Sequence, residues 1–124
     1  MELVSKRYAD AVALFPAGRL DHATAEGFKV ALQPHLARCT AGGDRVVLDL
    51  AGVEYISSVG LRVLMLASKQ AKAQGGALAV AELQPVVREI FEISRFNLVL
   101  EVFPTLREAL AKLSPAALAA FEAA

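Results

Sequence analysis

The chain has 124 residues, of which 56% are hydrophobic and 21% are charged, so it can bury the core of one domain and is too apolar to be disordered. Its 13 basic and 13 acidic residues cancel, which leaves no excess charge to attract nucleic acid or an anionic membrane surface. Because no uncharged run exceeds nine residues, about half of a membrane-spanning helix, we also expect no insertion into a membrane.

The first half of the chain opens with two short apolar runs, Leu3 to Tyr8 and Ala11 to Phe15, which predict an antiparallel hairpin. The following Pro16-Ala17-Gly18 is expected to interrupt or end the second strand. A helical pattern then runs from Thr24 to Arg38, with Thr24 as the expected N-cap. Pro34 lies inside this pattern and predicts a kink or a break.

The second half alternates between strand and helix. Apolar runs and turn residues predict, in chain order, a strand over Arg45–Leu50, a helix over Leu61–Gln74, a strand over Ala77–Ala81, a helix over Pro85–Ser94, a strand over Leu98–Val102 and a helix over Thr105–Leu113. The helix over Pro85–Ser94 is expected to bury Val86, Ile90, Phe91 and Ile93. The alanine-rich segment 114–124 is expected to be a poorly anchored extension, either helical or frayed, behind a domain over residues 1–113.

This order of elements predicts the fold class. Strands that alternate with helices are joined by crossovers, which favour parallel pairing, whereas the opening hairpin adds an antiparallel edge. We therefore expect a single small α/β domain with a mixed, mostly parallel β-sheet, an N-terminal antiparallel hairpin and about four α-helices packed on the sheet.

Motifs of catalysis are missing from the sequence. It has no Gly-x-Ser-x-Gly elbow, P-loop, Gly-x-Gly-x-x-Gly or His-Glu-x-x-His. Asp21, His22 and Ser58 are the residue types of a hydrolase triad, but adjacent Asp21 and His22 cannot easily form the relay. We therefore expect no catalytic residue and no enzymatic activity.

The content of cysteine and histidine argues against a metal. The single Cys39 cannot form an internal disulfide, and with only His22 and His35 beside it the chain lacks the usual ligands of structural zinc. Near Met1 no basic segment precedes an apolar one, as it would in a secretion signal. We expect a cytoplasmic protein without a metal or another cofactor.

Two adjacent serines, Ser57 and Ser58, stand where the helix that contains Leu61 begins. In one interpretation, either serine simply caps the helix by accepting a bond from an unpaired backbone N–H. In the other, an exposed hydroxyl here is a modification site, because a phosphate would lie at the positive end of the helix. Such a phosphate would add about −1.5 to −2 charges to a nearly neutral surface, enough to eject a docked partner.

A family resemblance favours the second interpretation. Asp49–Leu64, DLAGVEYISSVGLRVL, resembles the signature of STAS domains, in particular the bacterial anti-sigma factor antagonists. Gly18–Ala25, GRLDHATA, is similar to the Gly-x-Leu-Asp-x-x-Thr-Ala of that family. Further similarities follow in family order at Ile90–Ser94, Phe103 and Glu108–Leu110, so that the resemblance spans roughly residues 3 to 113.

The resemblance implies a phosphorylation site and a binding surface. In this family the serine two residues before the signature glycine accepts phosphate, and that position is Ser58. Sporulation-type members usually carry Asp-Ser-Ser-Gly, whereas this chain has Ser57-Ser58-Val59-Gly60, so Ser57 is an alternative hydroxyl. Asp21 matches a family residue close to the acceptor loop. The residues that we expect to bind a partner are Asp21, Thr24, Ser57, Ser58, Val59, Gly60 and Arg62.

The resemblance also implies the partners. The unphosphorylated protein would bind an anti-sigma factor that has GHKL-type serine kinase activity and thereby release a sigma factor. Phosphorylation by that kinase would break the complex, and a PP2C-type phosphatase would restore it. The alternative is a STAS subunit of a bacterial phospholipid-transport ABC system, which would bind the ATPase of that system.

Overall fold

The computed structural model describes residues 2–124 and arranges them as a β-sheet between two layers of helices. The strands are β1 Val4–Tyr8, β2 Ala11–Phe15, β3 Gly18–Leu20, β4 Arg45–Asp49, β5 Val53–Ile56, β6 Leu78–Ala81 and β7 Glu101–Phe103. The helices are α1 Ala25–Ala37, α2 Ser58–Ala73, α3 Pro85–Ile93, α4 Leu106–Leu113 and α5 Pro115–Ala123, with a 3-10 turn at Phe96–Leu98.

The main sheet has five strands in the order β1-β2-β4-β6-β7. β1 and β2 are antiparallel, and the other neighbours are parallel. The hairpin turns at Ala9, whose φ of 53° is left-handed. The predicted α/β class and the mixed, mostly parallel sheet with an N-terminal hairpin are confirmed.

β4 lies at the centre of this sheet and is covered on both faces. Val46 and Leu48 point into the core beneath α1, α2 and α3, whereas Val47 points into a second core beneath α4 and α5. Side chains alternate between the two faces of a strand, so a run of consecutive apolar residues is expected where both faces are buried. The strand predicted over Arg45–Leu50 is confirmed as β4, which ends at Asp49.

A second, two-stranded sheet pairs β3 with β5 in parallel, separately from the main sheet. Pro16-Ala17-Gly18 was expected to interrupt or end the second strand. β2 does end at Phe15, but a new strand begins at Gly18, whose φ of 87° turns the chain. β5 lies between the predicted strand Arg45–Leu50 and the predicted helix Leu61–Gln74, where no strand was predicted. Strands this short, of three and four residues, leave almost no periodicity to detect.

Of the kink or break predicted at Pro34, the break is wrong, since α1 runs through this residue from Ala25 to Ala37. Pro34 and Val30 are both exposed, so water can reach the carbonyl of Val30 that has lost its helical donor.

The segment after α3 also differs from the prediction. Arg95 adopts a left-handed φ of 55° and turns the chain into the 3-10 helix, so the final strand begins at Glu101 rather than at Leu98. Phe96 is buried and packs edge-on against Phe91, with ring centroids 5.2 Å apart. The predicted inward face of α3 is partly wrong, because Val87 is buried whereas Val86 and Ile93 are 53% and 75% exposed.

The C-terminal segment forms a fifth helix, which is one of the two alternatives expected for it, and it is well anchored. Phe121 packs against Tyr8 of β1, with ring centroids 5.3 Å apart, and Ala117 is fully buried. Ser114 accepts a hydrogen bond from the N–H of Ala117 and donates one to the carboxylate of Asp10, which lowers the pKa of that carboxyl. The expectation of weak anchoring is therefore wrong.

Candidate functional site

The two motif segments meet at the small sheet. Leu20, the last residue of β3, is opposite Ile56, the last residue of β5. Directly beyond this pair, the N–H of Ser57 donates to the carbonyl of Leu20 over 2.9 Å. The backbone thereby places the loop that begins at Asp21 beside the loop that begins at Ser57.

Gly60 makes this close approach possible. A Cβ atom at this position would lie 2.6 Å from the carbonyl oxygen of Leu20 and 2.9 Å from Cγ1 of Ile56. Because the first contact is with backbone, it cannot be relieved by a side-chain rotation. The signature glycine thus lets the first turn of α2 rest on the end of β3.

The two serines have different environments at the start of α2. Ser57 is the N-cap, with extended backbone, and its hydroxyl accepts a long hydrogen bond of 3.4 Å from the N–H of Gly60. Ser58 is the first helical residue and is exposed. The helix begins three residues before the predicted Leu61, because its cap is Ser57. Ser57 therefore caps the helix, and Ser58 is an exposed residue in its first turn.

The Asp21 loop is held by its own side chains. The carboxylate of Asp21 accepts bonds from the N–H of Ala23 over 3.0 Å and from Nε of Arg19 over 3.3 Å. Desolvation opposes ionisation of this carboxyl, but these hydrogen bonds outweigh it, so the pKa of Asp21 lies below its usual value. Asp21 is an anion at neutral pH.

Thr24 does not act as predicted. It occupies the N-cap position of α1, but its side chain makes no capping bond. Instead its hydroxyl donates to the carbonyl of Arg19 over 2.7 Å and accepts from the N–H of Asp21 over 3.0 Å. Thr24 therefore shapes the loop from within, and Asp21 satisfies the N–H groups before the helix.

Arg19 is a site residue that the sequence analysis missed. Its guanidinium lies over the ring of Tyr55, with Cζ 4.4 Å from the ring centroid, while it also contacts Asp21. Arg19 and Tyr55 are opposite each other in the register of β3 and β5. Since neither strand was predicted, nothing in the sequence indicated this pair.

Val59 and Arg62 line a shallow groove of about 170 Å³ between α1 and α2, together with Lys29 and Leu66. Val59 is 43% exposed and Leu66 is 44% exposed, so the groove offers apolar surface to solvent. Leu66 is a further residue that the sequence analysis did not single out. All the predicted binding residues thus lie on the two loops or at the first turns of α2.

Other chemistry finds no support among the described residues. Within residues 2–124, no group of three His, Cys, Asp or Glu side chains is placed to hold a metal ion. His22 is exposed, and burial raises the pKa of the Cys39 thiol, which donates to the carbonyl of Ala77. Across the same residues no helix combines the length and apolarity that crossing a membrane requires.

The chain belongs to the STAS domain family, whose pattern matches residues 2–109. It is 44% identical, over 86% of its length and 83% of the relative, to BtrV of Bordetella bronchiseptica, assigned as an anti-sigma factor antagonist. The anti-sigma F factor antagonist of Paenibacillus polymyxa is 25% identical over 77% of this chain and 80% of that protein.

Solved structures agree on the fold. An anti-sigma factor antagonist of Thermotoga maritima has a TM-score of 0.81 at 24% identity, covering 90% of this chain and 93% of that one. The anti-sigma factor antagonist SpoIIAA in its unphosphorylated form has a TM-score of 0.70 at 17% identity, covering 90% and 95%. At these identities the likeness shows the STAS fold alone.

Proposed function

We propose that this protein is an anti-sigma factor antagonist controlled by phosphorylation of Ser58. The observation that carries the proposal is the exposed hydroxyl of Ser58 at the start of the 16-residue α2, beside the groove that contains Val59 and Arg62. The 44% identity to BtrV supports the same reading.

The geometry explains how one phosphate could act as a switch. Ser57 already caps the helix, so a phosphate on Ser58 removes no existing capping bond. At the positive end of a helix, negative charge is neutral or slightly stabilising for the domain. A partner docked on Val59 and the groove would, however, have to bury that dianion, which costs several kcal/mol when no cation pairs with it.

The partner we propose is an anti-sigma factor with GHKL-type serine kinase activity. In the unphosphorylated state this protein binds it, and a sigma factor is released. The kinase then transfers phosphate to Ser58 and the complex dissociates, until a PP2C-type phosphatase removes the phosphate. The exchange takes place in the cytoplasm, and this protein acts in it by binding rather than by catalysis.

The surface that we propose for the partner consists of the Asp21 loop, the Ser57–Gly60 loop and the exposed side of α2 that includes Arg62. Thr24 contributes indirectly, since its hydroxyl is used to hold Asp21 in place. Gly60 contributes through the close approach of the two loops.

Co-purification followed by mass spectrometry tests this proposal. A tagged Ser58→Ala variant should retain a GHKL-type kinase, whereas Ser58→Asp should lose it at an unchanged Tm. In the isolated pair, the kinase should phosphorylate the wild type and Ser57→Ala but not Ser58→Ala. Phosphate on Ser57 alone, normal binding by Ser58→Asp, or retention of the ATPase of an ABC transporter in place of a kinase would overturn it.

A further inference from the structure

A second groove lies at the opposite end of α2 from Ser58. It has a volume of about 440 Å³ and is enclosed by the last turns of α2, the start of β6 and the segment from the 3-10 helix to β7. The groove exists because β7 pairs with β6 only from Ala79 onward, so the outer side of β6 before that residue has no neighbouring strand. Neither motif segment contributes to it.

The rim of this groove carries the most exposed large apolar side chain among the described residues. Leu98 lines the groove and is 76% exposed. It extends from the 3-10 helix, whose other end is fixed by the buried Phe96. The surface therefore combines an apolar projection, Leu98, with an open recess directly beside it.

The charges of the groove are mixed. Lys72 of α2 and Glu101 of β7 both line it. Lys72 donates to the carbonyl of Val99 over 3.4 Å, and neither side chain belongs to an ion pair within residues 2–124. A surface that holds one unpaired charge of each sign is complementary to itself.

We propose that this surface binds a second copy of the chain across a two-fold axis. In such a dimer the Leu98 of each copy enters the groove of the other, and each Lys72 faces the Glu101 of its partner. Two-fold interfaces use the same patch on both subunits, which requires a projection, a recess and charges of both signs on one surface. All three are present here.

The dimer leaves the proposed switch free. Ser58 and Lys72 lie at opposite ends of α2, roughly 21 Å apart along the helix axis at 1.5 Å per residue. Each dimer would therefore present two separate phosphorylation loops. Because the contact surface is small, we expect a reversible dimer with a Kd on the order of 10 to 100 µM.

Sedimentation velocity over a concentration series measures the dimer directly. The wild type should shift from monomer to dimer over that range, and Leu98→Asp should raise the dimer Kd more than tenfold without a change in the circular dichroism spectrum. A wild type that stays monomeric at 1 mM, or a dimer that is indifferent to Leu98→Asp, overturns the proposal.

A charge exchange tests the two-fold arrangement itself. Lys72→Glu and Glu101→Lys should each weaken self-association, because each puts like charges opposite one another. Mixed in equal amounts, the two variants should form a heterodimer at least as readily as the wild type dimerises, since both contacts then pair opposite charges. Lys69→Glu on α2 and Glu89→Lys on α3 are matched controls outside the groove and should change nothing. If the mixture stays monomeric, the proposed axis is wrong, and phosphorylation of Ser58 can be assayed independently in every variant.

Discussion

The α-carbon of Gly60 faces the carbonyl oxygen of Leu20 so closely that an added methyl group would lie 2.6 Å from that oxygen. Gly60→Ala gains up to about 1 kcal/mol of helix propensity. The steric cost is larger, because two backbone segments must separate, and overpacking of this kind costs about 1–3 kcal/mol. We therefore expect a net loss of stability in urea denaturation. Gly42→Ala, where a Cβ meets nothing within 4 Å, is the control; equal stabilities of the two variants would contradict the argument.

Ser57→Ala should destabilise the protein by about 0.5–1 kcal/mol, since it removes the N-cap of α2. The low end is expected because the capping bond to Gly60 is long, at 3.4 Å. Ser58→Ala should change the free energy of unfolding by less than about 0.5 kcal/mol. Chemical denaturation of both variants measures this difference, and a larger loss for Ser58→Ala would mean that the capping assignment is reversed.

If the proposed surface is correct, Val59→Ala and Arg62→Ala should each lower the affinity for the proposed anti-sigma factor about tenfold, because central apolar and arginine residues dominate such surfaces. Titration calorimetry against the purified partner is the measurement. Val86→Ala is a matched control, as it truncates another exposed valine near the start of a helix, and it should stay within about threefold. If Val86→Ala caused the larger loss, the partner would bind at α3.

Deletion of residues 115–124 should separate stability from binding. It removes the contact of Phe121 with Tyr8 and uncovers the sheet beneath α5, so Tm should fall by several degrees. We propose that residues 1–114 nevertheless suffice for the switch, since α5 and α2 cover opposite faces of the sheet. Partner affinity below the new Tm should stay within about threefold; a much greater loss would make α5 part of the interface.

Asp49→Asn should stabilise the protein at neutral pH. Burial raises the pKa of the Asp49 carboxyl, and the nearby charge of Glu82 raises it further. The hydrogen bond from the N–H of Ala51 acts in the opposite direction but is weaker than the effect of burial. Because the pKa is higher in the folded state than in the unfolded chain, the folded state holds the negative charge less favourably, and above both pKa values this lowers the stability of the wild type. Asparagine keeps the acceptor without the charge.

The advantage of Asp49→Asn should shrink as the pH falls through the raised pKa of the folded state. It should vanish below about pH 3, where the carboxyl is protonated in both states. Thermal melts of the variant and the wild type from pH 3 to 7 test this. A Tm difference that grows toward low pH would contradict it.

Much of the architecture could be predicted, because most strands and helices have a clear pattern of apolar residues on their buried faces. The apolar run from Val46 to Leu48 predicted a strand that is observed as β4, and the helix predicted over Leu61–Gln74 is observed as α2, which ends at Ala73. The break predicted at Pro34 is absent. The energetic cost of a proline inside a helix depends on whether water reaches the freed carbonyl, here that of Val30, and the sequence alone does not show that exposure. The docking of α5 depends on Tyr8, more than 100 residues away along the chain. The composition of the C-terminal segment therefore could not indicate that contact.

The motifs indicated which segments would form the candidate site, but they did not indicate the contacts that depend on how strands and helices pair. Ser57, Ser58 and Gly60 were singled out by spacing and resemblance, and the structure places them beside Asp21. The stacking of Arg19 on Tyr55 arises from the register of β3 and β5. It could not be predicted, because the sequence did not indicate that these two short strands pair. Leu66 belongs to the groove because α1 lies beside α2, a relationship between two helices that neither one encodes alone.

The small sheet and the main sheet support different parts of the molecule. β3 and β5 share only three residue pairs, with a shift in register, and they hold both loops of the proposed switch. The deeply buried ladder between β2 and β4 carries none of those loops. Substitutions at the exposed positions of the small sheet, Arg19 in β3 and Glu54 in β5, can therefore alter the proposed partner surface without disturbing the buried core that Leu20 and Ile56 share with the main sheet.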